Sequence, residues 1–403
     1  MKMTVGSKDF ADCMRKIQPA VSVVKDKKET TEASIMLMVT KTQKVEEGYI
    51  GIAVAYDGKK QLFSMFLSSE LEMEEDKKEI YISGKRLCDI SAAMDNGKDI
   101  PMTLEVGKNC LLKKGGSQVQ LPLGEKPVIL FPSDEWYIHS SVDSREFADL
   151  LNYASKFYSP GAEGCTGDVC LCFDLKNNKI QMSSTDTLKL GFRSMNAVST
   201  AGKKLKKSGE EDAPLPPTIR KAGDLLAMQI DGDQFKVLSK FLEGKTTEIC
   251  VYDKYVYFKS GADIALFMVK DIEKPYPLES SVAMAKAHSR TCTIQAAPKD
   301  ILDALAVFEV SNQGQDPFVY ITKDKTGALC FSTKGELSKT LVPCKIKGDY
   351  TQTILNSKIL RQVVGNYDKE ESFVLFTGSS EEVVIITDKE DSENFNIISQ
   401  VDA

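Results

Sequence analysis

Cys165, Cys170 and Cys172 form the tightest grouping of potential nucleophiles or soft-metal ligands in the chain. A structural zinc site needs paired ligands at spacings such as C-x2-C, and no CxxC occurs among the ten cysteines. A disulfide framework belongs to secreted chains, whereas the opening MKMTVGSKDF lacks the long apolar core of a secretory signal. Reduced thiols in a cytoplasmic protein are therefore expected. Along a strand, Cys170 and Cys172 fall on one face, which is the pattern of core side chains. The two histidines, His139 and His288, have no serine or cysteine in a recognisable nucleophile setting, which argues against a catalytic triad. Neither GxxxxGK[ST] nor GxGxxG is present, so phosphate cradling has no support. No metal, no cofactor and no catalytic residue are expected, and a cysteine-dependent enzyme is the remote alternative.

Binding chemistry is better represented. Residues Leu171–Phe192, LCFDLKNNKIQMSSTDTLKLGF, read as a hairpin whose turn falls at Asn177-Asn178, since Asn tolerates positive φ. The return strand leads into Ser184-Thr185-Asp186-Thr187-Leu188-Lys189-Leu190. Small hydrogen-bonding side chains followed by two leucines suit the rim of an apolar pocket, and they suit an ordinary strand end equally well.

The elements that must position this run recur along the chain. At 403 residues with 42% hydrophobic content, the chain suggests about three domains of ordinary size. No apolar run approaches the length of a membrane span. A stripe at i, i+3, i+4, i+7 predicts amphipathic helices at Phe10, Cys13, Met14, Ile17, again at Phe147, Leu150, Leu151, Ala154, and again at Ile301, Ala304, Leu305, Phe308. Ser7, Ser144 and Pro298 stand at the expected starts. A second helix type recurs at Leu87, Ile90, Ser91, Met94, then Phe235, Leu238, Ser239, Leu242, then Leu360, Val363, Val364, Tyr367. Strands are expected at 79–82, 102–106, 111–113 and 119–121, then at 226–230, 248–252, 255–259 and 265–269, and finally at 351–355, 372–376, 383–387 and 394–399. Gly115, Gly261 and Gly378 mark turns between them.

Two alternating helix types with intervening strands, repeated three times, imply three copies of one α+β unit, with two helices packed on antiparallel sheet. Boundaries at Pro127–Pro132 and Pro275–Pro277 give domains 1–133, 134–283 and 284–403. The low-complexity stretch Lys203–Pro217, KKLKKSGEEDAPLPP, reads as a mobile surface loop.

Three tandem units of this kind, with STDTLKLG in the second, resemble the bacterial DNA polymerase III β subunit, the sliding clamp. The resemblance spans essentially the whole chain and is carried best by 150–158, 172–191, 82–94 and Tyr276-Pro277. It implies a head-to-tail homodimer whose six domains form a ring around duplex DNA, helices inside and sheets outside, acting as a processivity factor. The implied partners are DNA polymerase, the clamp loader and other proteins that carry a short clamp-binding peptide, with no membrane involved. A diverged accessory clamp of plasmid or phage type is the alternative.

Carried over by position, the resemblance implies a peptide pocket formed by Thr185, Thr187, Leu188, Lys189, Leu190, Pro277, Val282, Val383, Ile397, Ile398 and Val401. Asp168 falls near a leucine of the family's pocket wall, and Leu188 stands where a histidine is frequent. The implied phosphate contacts are Lys8, Arg15, Lys16, Lys85, Arg86, Arg145, Lys156, Lys236, Lys240, Lys358 and Arg361, although the polar face of a helix is ordinarily just solvated. The implied dimer interface includes Val119, Glu309 and Val310. A net charge of −6 excludes nucleic-acid binding by a uniformly basic surface and requires any positive charge to be concentrated on one face.

Overall fold

The computed structural model describes residues 1–401 except 22, 26–29, 99, 134, 203, 205–214, 223–224, 273–277, 289, 313–316, 336–337, 369–370, 372, 379–382 and 391. Most of the expected 203–217 loop and the 275–277 boundary therefore lie outside the described residues. The protein is α+β and divides into two compact units. One comprises Met1–Arg145, Val198–Pro214 and Val237–Val269; the other comprises Glu146–Ala197, Leu215–Lys236 and Lys270–Ala403. No helix among the described residues is long and apolar enough to cross a membrane.

The division passes through the middle sequence repeat, and sheet pairing explains why. In the first unit, strand Asp263–Met268 pairs antiparallel with Lys60–Glu72, so the middle repeat's outer strands extend the first repeat's sheet. That sheet runs from Ser117–Leu121 at one end to Val198–Ala201 at the other. In the second unit, strand Lys189–Asn196 pairs with Phe395–Ile398, which joins the remaining strands of the middle repeat to the third. A separate four-stranded sheet in this unit, ending at Lys339–Val342, packs over helices Pro298–Ser311 and Ser357–Val364. Backbone ladders thus tie each half of the middle repeat to a flanking repeat.

The expected strands are present within a few residues of their predicted bounds, including the central hairpin Asp168–Asp174 and Lys179–Thr185. Asn178 takes φ +52° in its turn. Three long strands, Ser34–Val45, Gly48–Tyr56 and Lys60–Glu72, were not singled out in the sequence. The first helical stripe is buried in all three repeats, from Phe10 to Ile17, Phe147 to Ala154 and Ile301 to Phe308. The serines do not cap as expected. Ser7 is the first helical residue, its hydroxyl donating to the Lys98 carbonyl, and the Ser144 hydroxyl lies 2.8 Å from that of Thr247.

The second helix type is a regular α-helix at Gly84–Met94 and Ser357–Val364. In the middle repeat it is one α turn, Gly232–Phe235, followed by a 3-10 segment, Lys236–Phe241. A 3-10 helix stacks every third residue, so Phe235, Leu238 and Phe241 are buried and Leu242 is not. A further helix, Leu278–Ala287, lies in what the sequence suggested was linker.

All ten cysteines are free, and eight of them are buried. Cys170 and Cys172 sit side by side in the core with sulfurs 3.5 Å apart, and burial pushes the Cys88 and Cys110 thiols up to about 12. Gly191 lets the Phe157 ring lie directly on the backbone of strand Lys189–Asn196. A Cβ there would stand 2.6 Å from the ring, closer than packing allows. Gly191→Ala should therefore lower stability by about 1–3 kcal/mol through overpacking. Urea unfolding followed by far-ultraviolet circular dichroism tests this, and an unchanged midpoint would show that the ring moves aside without cost.

Candidate functional site

The STDTLKL run forms a tight, internally bonded turn between strands Lys179–Thr185 and Lys189–Asn196. One oxygen of Asp186 accepts the backbone N–H of Leu188 and of Lys189, both at 3.0 Å. The Thr185 hydroxyl donates to the Lys189 carbonyl at 2.8 Å and accepts the Thr187 N–H at 3.1 Å. Closing the loop this way holds Thr187 at φ +79° and leaves Leu188 53% exposed. The sequence reading gives Asp186 no role in the site. Its backbone-capping chemistry is a known habit of Asp in turns and could have been anticipated.

Strand pairing then brings the C-terminal segment alongside. Lys189 pairs with Ile398 and Leu190 with Ile397, and Ser399 N–H donates to the Leu188 carbonyl at 2.9 Å. Successive side chains of a strand face opposite sides, so the two pairs part company. Leu190 and Ile397 enter an apolar cluster with Cys170, Cys172, Phe192, Val374, Phe376, Ile385 and Phe395, and Val282 and Val383 pack at its border. Helix Leu278–Ala287 contributes Ala285 to the same cluster, and His288 beyond it sits with Nε2 2.8 Å from the Val383 carbonyl oxygen.

Lys189 and Ile398 face the other way. Ile398 joins the core beneath the helices, and the Lys189 ammonium donates to the Lys156 carbonyl at 2.7 Å and to Gln362. Burial pushes Lys189 below the ordinary lysine range, opposed by Asp186. These two residues therefore leave the expected pocket. Thr185 is buried, with its hydroxyl committed to the turn. The Val401 backbone is bonded to the Ile354 carbonyl at 3.1 Å, and Pro277 lies outside the described residues. Asp168 is buried and ion-paired with Lys270 at 2.6 Å. Burial raises its carboxyl, and Lys270 opposes the rise.

The expected phosphate contacts divide into two sets. Lys8, Lys85, Arg86, Arg145, Lys236, Lys240 and Lys358 are exposed. Arg15 pairs with Asp12 and Asp95, and Lys85 pairs with Asp89. The Lys16 ammonium is held between Glu243 and Asp263, 2.6 Å from each, so its charge is met within the fold. Lys156 is exposed too but donates to Asn366, and desolvation, with Arg193 nearby, lowers its pKa. Arg361 bonds Glu309 at 2.9 Å, so one expected DNA contact neutralises one expected interface residue. Val119 sits on the end strand Ser117–Leu121. Val310 is 70% exposed on helix Pro298–Ser311, with Val307 and Leu341 also exposed in the same unit.

No family model matches the chain, and no curated protein matches it. Solved structures do. The DNA polymerase III subunit beta from Pseudomonas aeruginosa superposes over 100% of both chains with a TM-score of 0.78 at 12% identity. The DNA polymerase sliding clamp from Bacillus subtilis matches over 100% of this chain and 99% of that one, with a TM-score of 0.75 at 15% identity. The Helicobacter pylori beta clamp bound to a DNA ligase peptide matches over 100% of both chains, with a TM-score of 0.74 at 14% identity. The chain has the sliding-clamp fold from end to end.

The Asp186 turn makes a sharp prediction, because Thr187 holds a backbone conformation that favours glycine and its side chain is exposed. Thr187→Gly should leave stability unchanged or raise it by up to about 1 kcal/mol. A drop of more than about 1 kcal/mol in thermal or urea unfolding would show that the threonine side chain makes a contact the turn needs.

Proposed function

We propose that the chain is a DNA sliding clamp, a protein that encircles duplex DNA and tethers replication or repair enzymes through a peptide-binding face. The observation that carries this reading is the end-to-end likeness to clamp structures at TM-scores of 0.74–0.78. The gathering of buried Leu190 and Ile397 with partly buried Val282 and Val383 at the border of one apolar cluster supports the tethering role. Such a protein makes and breaks no covalent bond. Its work is topological.

Closure into a ring calls for two copies joined end to end. The first unit presents the sheet end Ser117–Leu121, and the second presents the sheet end Lys339–Val342 beside exposed Val307, Val310 and Leu341. Terminal strands carry unpaired backbone groups that seek a partner. Pairing one kind of end with the other is a heterologous contact that closes when the rotation permits. The exposed cations of the helices, Lys8, Lys85, Arg86, Lys236, Lys240 and Lys358, would face the phosphates and bind them without reading bases.

The apolar face suits an extended peptide that buries alternate side chains. It would be read by Leu190 and Ile397 in the centre, with Val282 and Val383 at the edge and exposed Leu188 as a flap. Placing a carboxylate in that centre should weaken binding at least tenfold, the scale of a central hot spot. The measurement is fluorescence titration of a labelled clamp-binding peptide, taken from a DNA polymerase, against the chain with and without Leu190→Asp. Equal affinity for a correctly folded variant would remove this face from the proposal.

A further inference from the structure

The Asp186 turn occurs twice. In the first unit, one oxygen of Asp57 accepts the N–H of Lys59 and of Lys60 at 2.9 and 2.8 Å, as Asp186 does for Leu188 and Lys189. Gly58 takes φ +88° where Thr187 takes +79°. Asp57 N–H donates to the Lys60 carbonyl, as Asp186 N–H does to that of Lys189, at 3.2 and 3.3 Å. Lys60 is buried like Lys189, and each pairs with the aspartate of its own turn. The adjoining strand repeats as well. Met268 N–H donates to the Lys59 carbonyl where Ser399 N–H donates to that of Leu188, and Gln61 pairs with Leu266 where Leu190 pairs with Ile397. The two turns share only Asp, Lys and Phe in register across YDGKKQLF and TDTLKLGF.

The exchange of Leu190 for Gln61 has a visible consequence. The Gln61 amide donates to the Leu130 carbonyl at 2.7 Å and accepts the Leu130 N–H at 2.8 Å. Both backbone groups of one residue are thereby held, as a neighbouring strand would hold them. Ile129 and Leu130 pack onto the apolar cluster of Met36, Val54, Phe63 and Leu266, whereas Val128 and Phe131 on either side are 69% and 63% exposed. An extended aliphatic pair, with its backbone gripped and its side chains on an apolar sheet face, is how a captured peptide lies. The groove is also longer than the segment that fills it. A cavity of about 320 Å³ lies next along the chain, lined by Pro132, Trp136, Tyr252 and Tyr257 among others, and Tyr257 also borders the cluster under Leu130.

We infer that residues 128–131 are an internal ligand, and that the face beneath them is a second site for an extended peptide bearing an adjacent aliphatic pair followed by an aromatic residue. The site is closed by the chain itself and opens when the segment leaves. A tethered segment acts at an effective concentration in the millimolar range, which keeps outside peptides away until a partner contributes more contacts than the segment does. The aromatic cavity offers those contacts. The inference takes its class of ligand from the proposed peptide role of the Leu190 face, but its residues lie in the other unit and are tested separately.

The probe is a labelled peptide copying residues 126–133, Lys-Pro-Val-Ile-Leu-Phe-Pro-Ser, titrated by fluorescence anisotropy against the full chain. Every arm carries Leu190→Asp to silence the first site. Adding Ile129→Ser with Leu130→Ser should release the segment and tighten peptide binding at least tenfold, and further addition of Gln61→Ala should abolish that gain. A folded release variant that binds no better than its parent overturns the inference. Should the release variant not fold, Gln61→Ala alone gives the answer by hydrogen exchange. The Leu130 amide should then exchange at least tenfold faster while the amides of strand Lys60–Glu72 keep their protection, and an unchanged Leu130 rate overturns the inference. Failure of the Leu190 reading would appear only in the polymerase-peptide titration and would leave these arms unaffected.

Discussion

Antiparallel pairing between strands of different sequence repeats is the constraint on which the rest of this structure depends. Asp263–Met268 must lie against Lys60–Glu72, and Phe395–Ile398 against Lys189–Asn196. Each pairing joins residues about 200 positions apart, and each is anchored by the same small device, an aspartate that caps the turn before the strand. The device matters because register decides everything downstream. A slip of one residue would exchange the faces of every side chain in the slipped strand, turning Lys189 away from the helices and Leu190 toward them. Capping by Asp57 and Asp186 fixes where each strand begins, and the buried lysine three residues later fits only one face.

From that register the chemistry of both apolar faces follows. Leu190 and Ile397 are drawn together because they are paired and point the same way, and Phe192 stacks on Phe395 beside them at 4.8 Å between ring centres. In the first unit the equivalent pair is Gln61 and Leu266. There the polar amide turns a purely apolar surface into one that also reads a backbone. One architectural element thus yields two surfaces of different character through a single residue.

Much of this was legible in the sequence, and the failures have physical causes. The three copies of the first helix were visible because burial imposes a 3.6-residue period on Phe10 to Ile17 and its counterparts. The second helix of the middle repeat differs from its stripe because Phe235, Leu238 and Phe241 follow a period of three, which the stripe Phe235, Leu238, Ser239, Leu242 hides. Helix Leu278–Ala287 reads as linker in the sequence because its residues are small and weakly segregated, although Pro277 ahead of it and Val282 with Ala285 at i, i+3 are signals. Lys189 and Ile398, which the family resemblance puts at the pocket, face the helices because strand alternation sets them opposite Leu190 and Ile397. The internal repeat of the Asp186 turn escaped because only three of eight residues coincide, whereas the hydrogen bonds coincide almost completely. Lys16 could not have been discounted from sequence, since its partners Glu243 and Asp263 lie more than 220 residues away.

The charge distribution bears directly on how such a protein would hold DNA. With a net charge of −6, and with Lys16, Lys85 and Arg361 paired with carboxylates, the grip on phosphates falls to the other exposed cations of the helices. At physiological salt, screening over about 8 Å would make that grip weak. Encirclement needs no strong grip. The decisive measurement is retention on a linear duplex whose ends are blocked with bulky protein caps after the chain has been allowed to thread on. Bound chain should survive a high-salt wash that strips ordinary electrostatic complexes, and it should leave as soon as a restriction enzyme cuts the duplex between the caps. Loss in the salt wash with the caps in place, or persistence after the cut, would contradict a closed clamp.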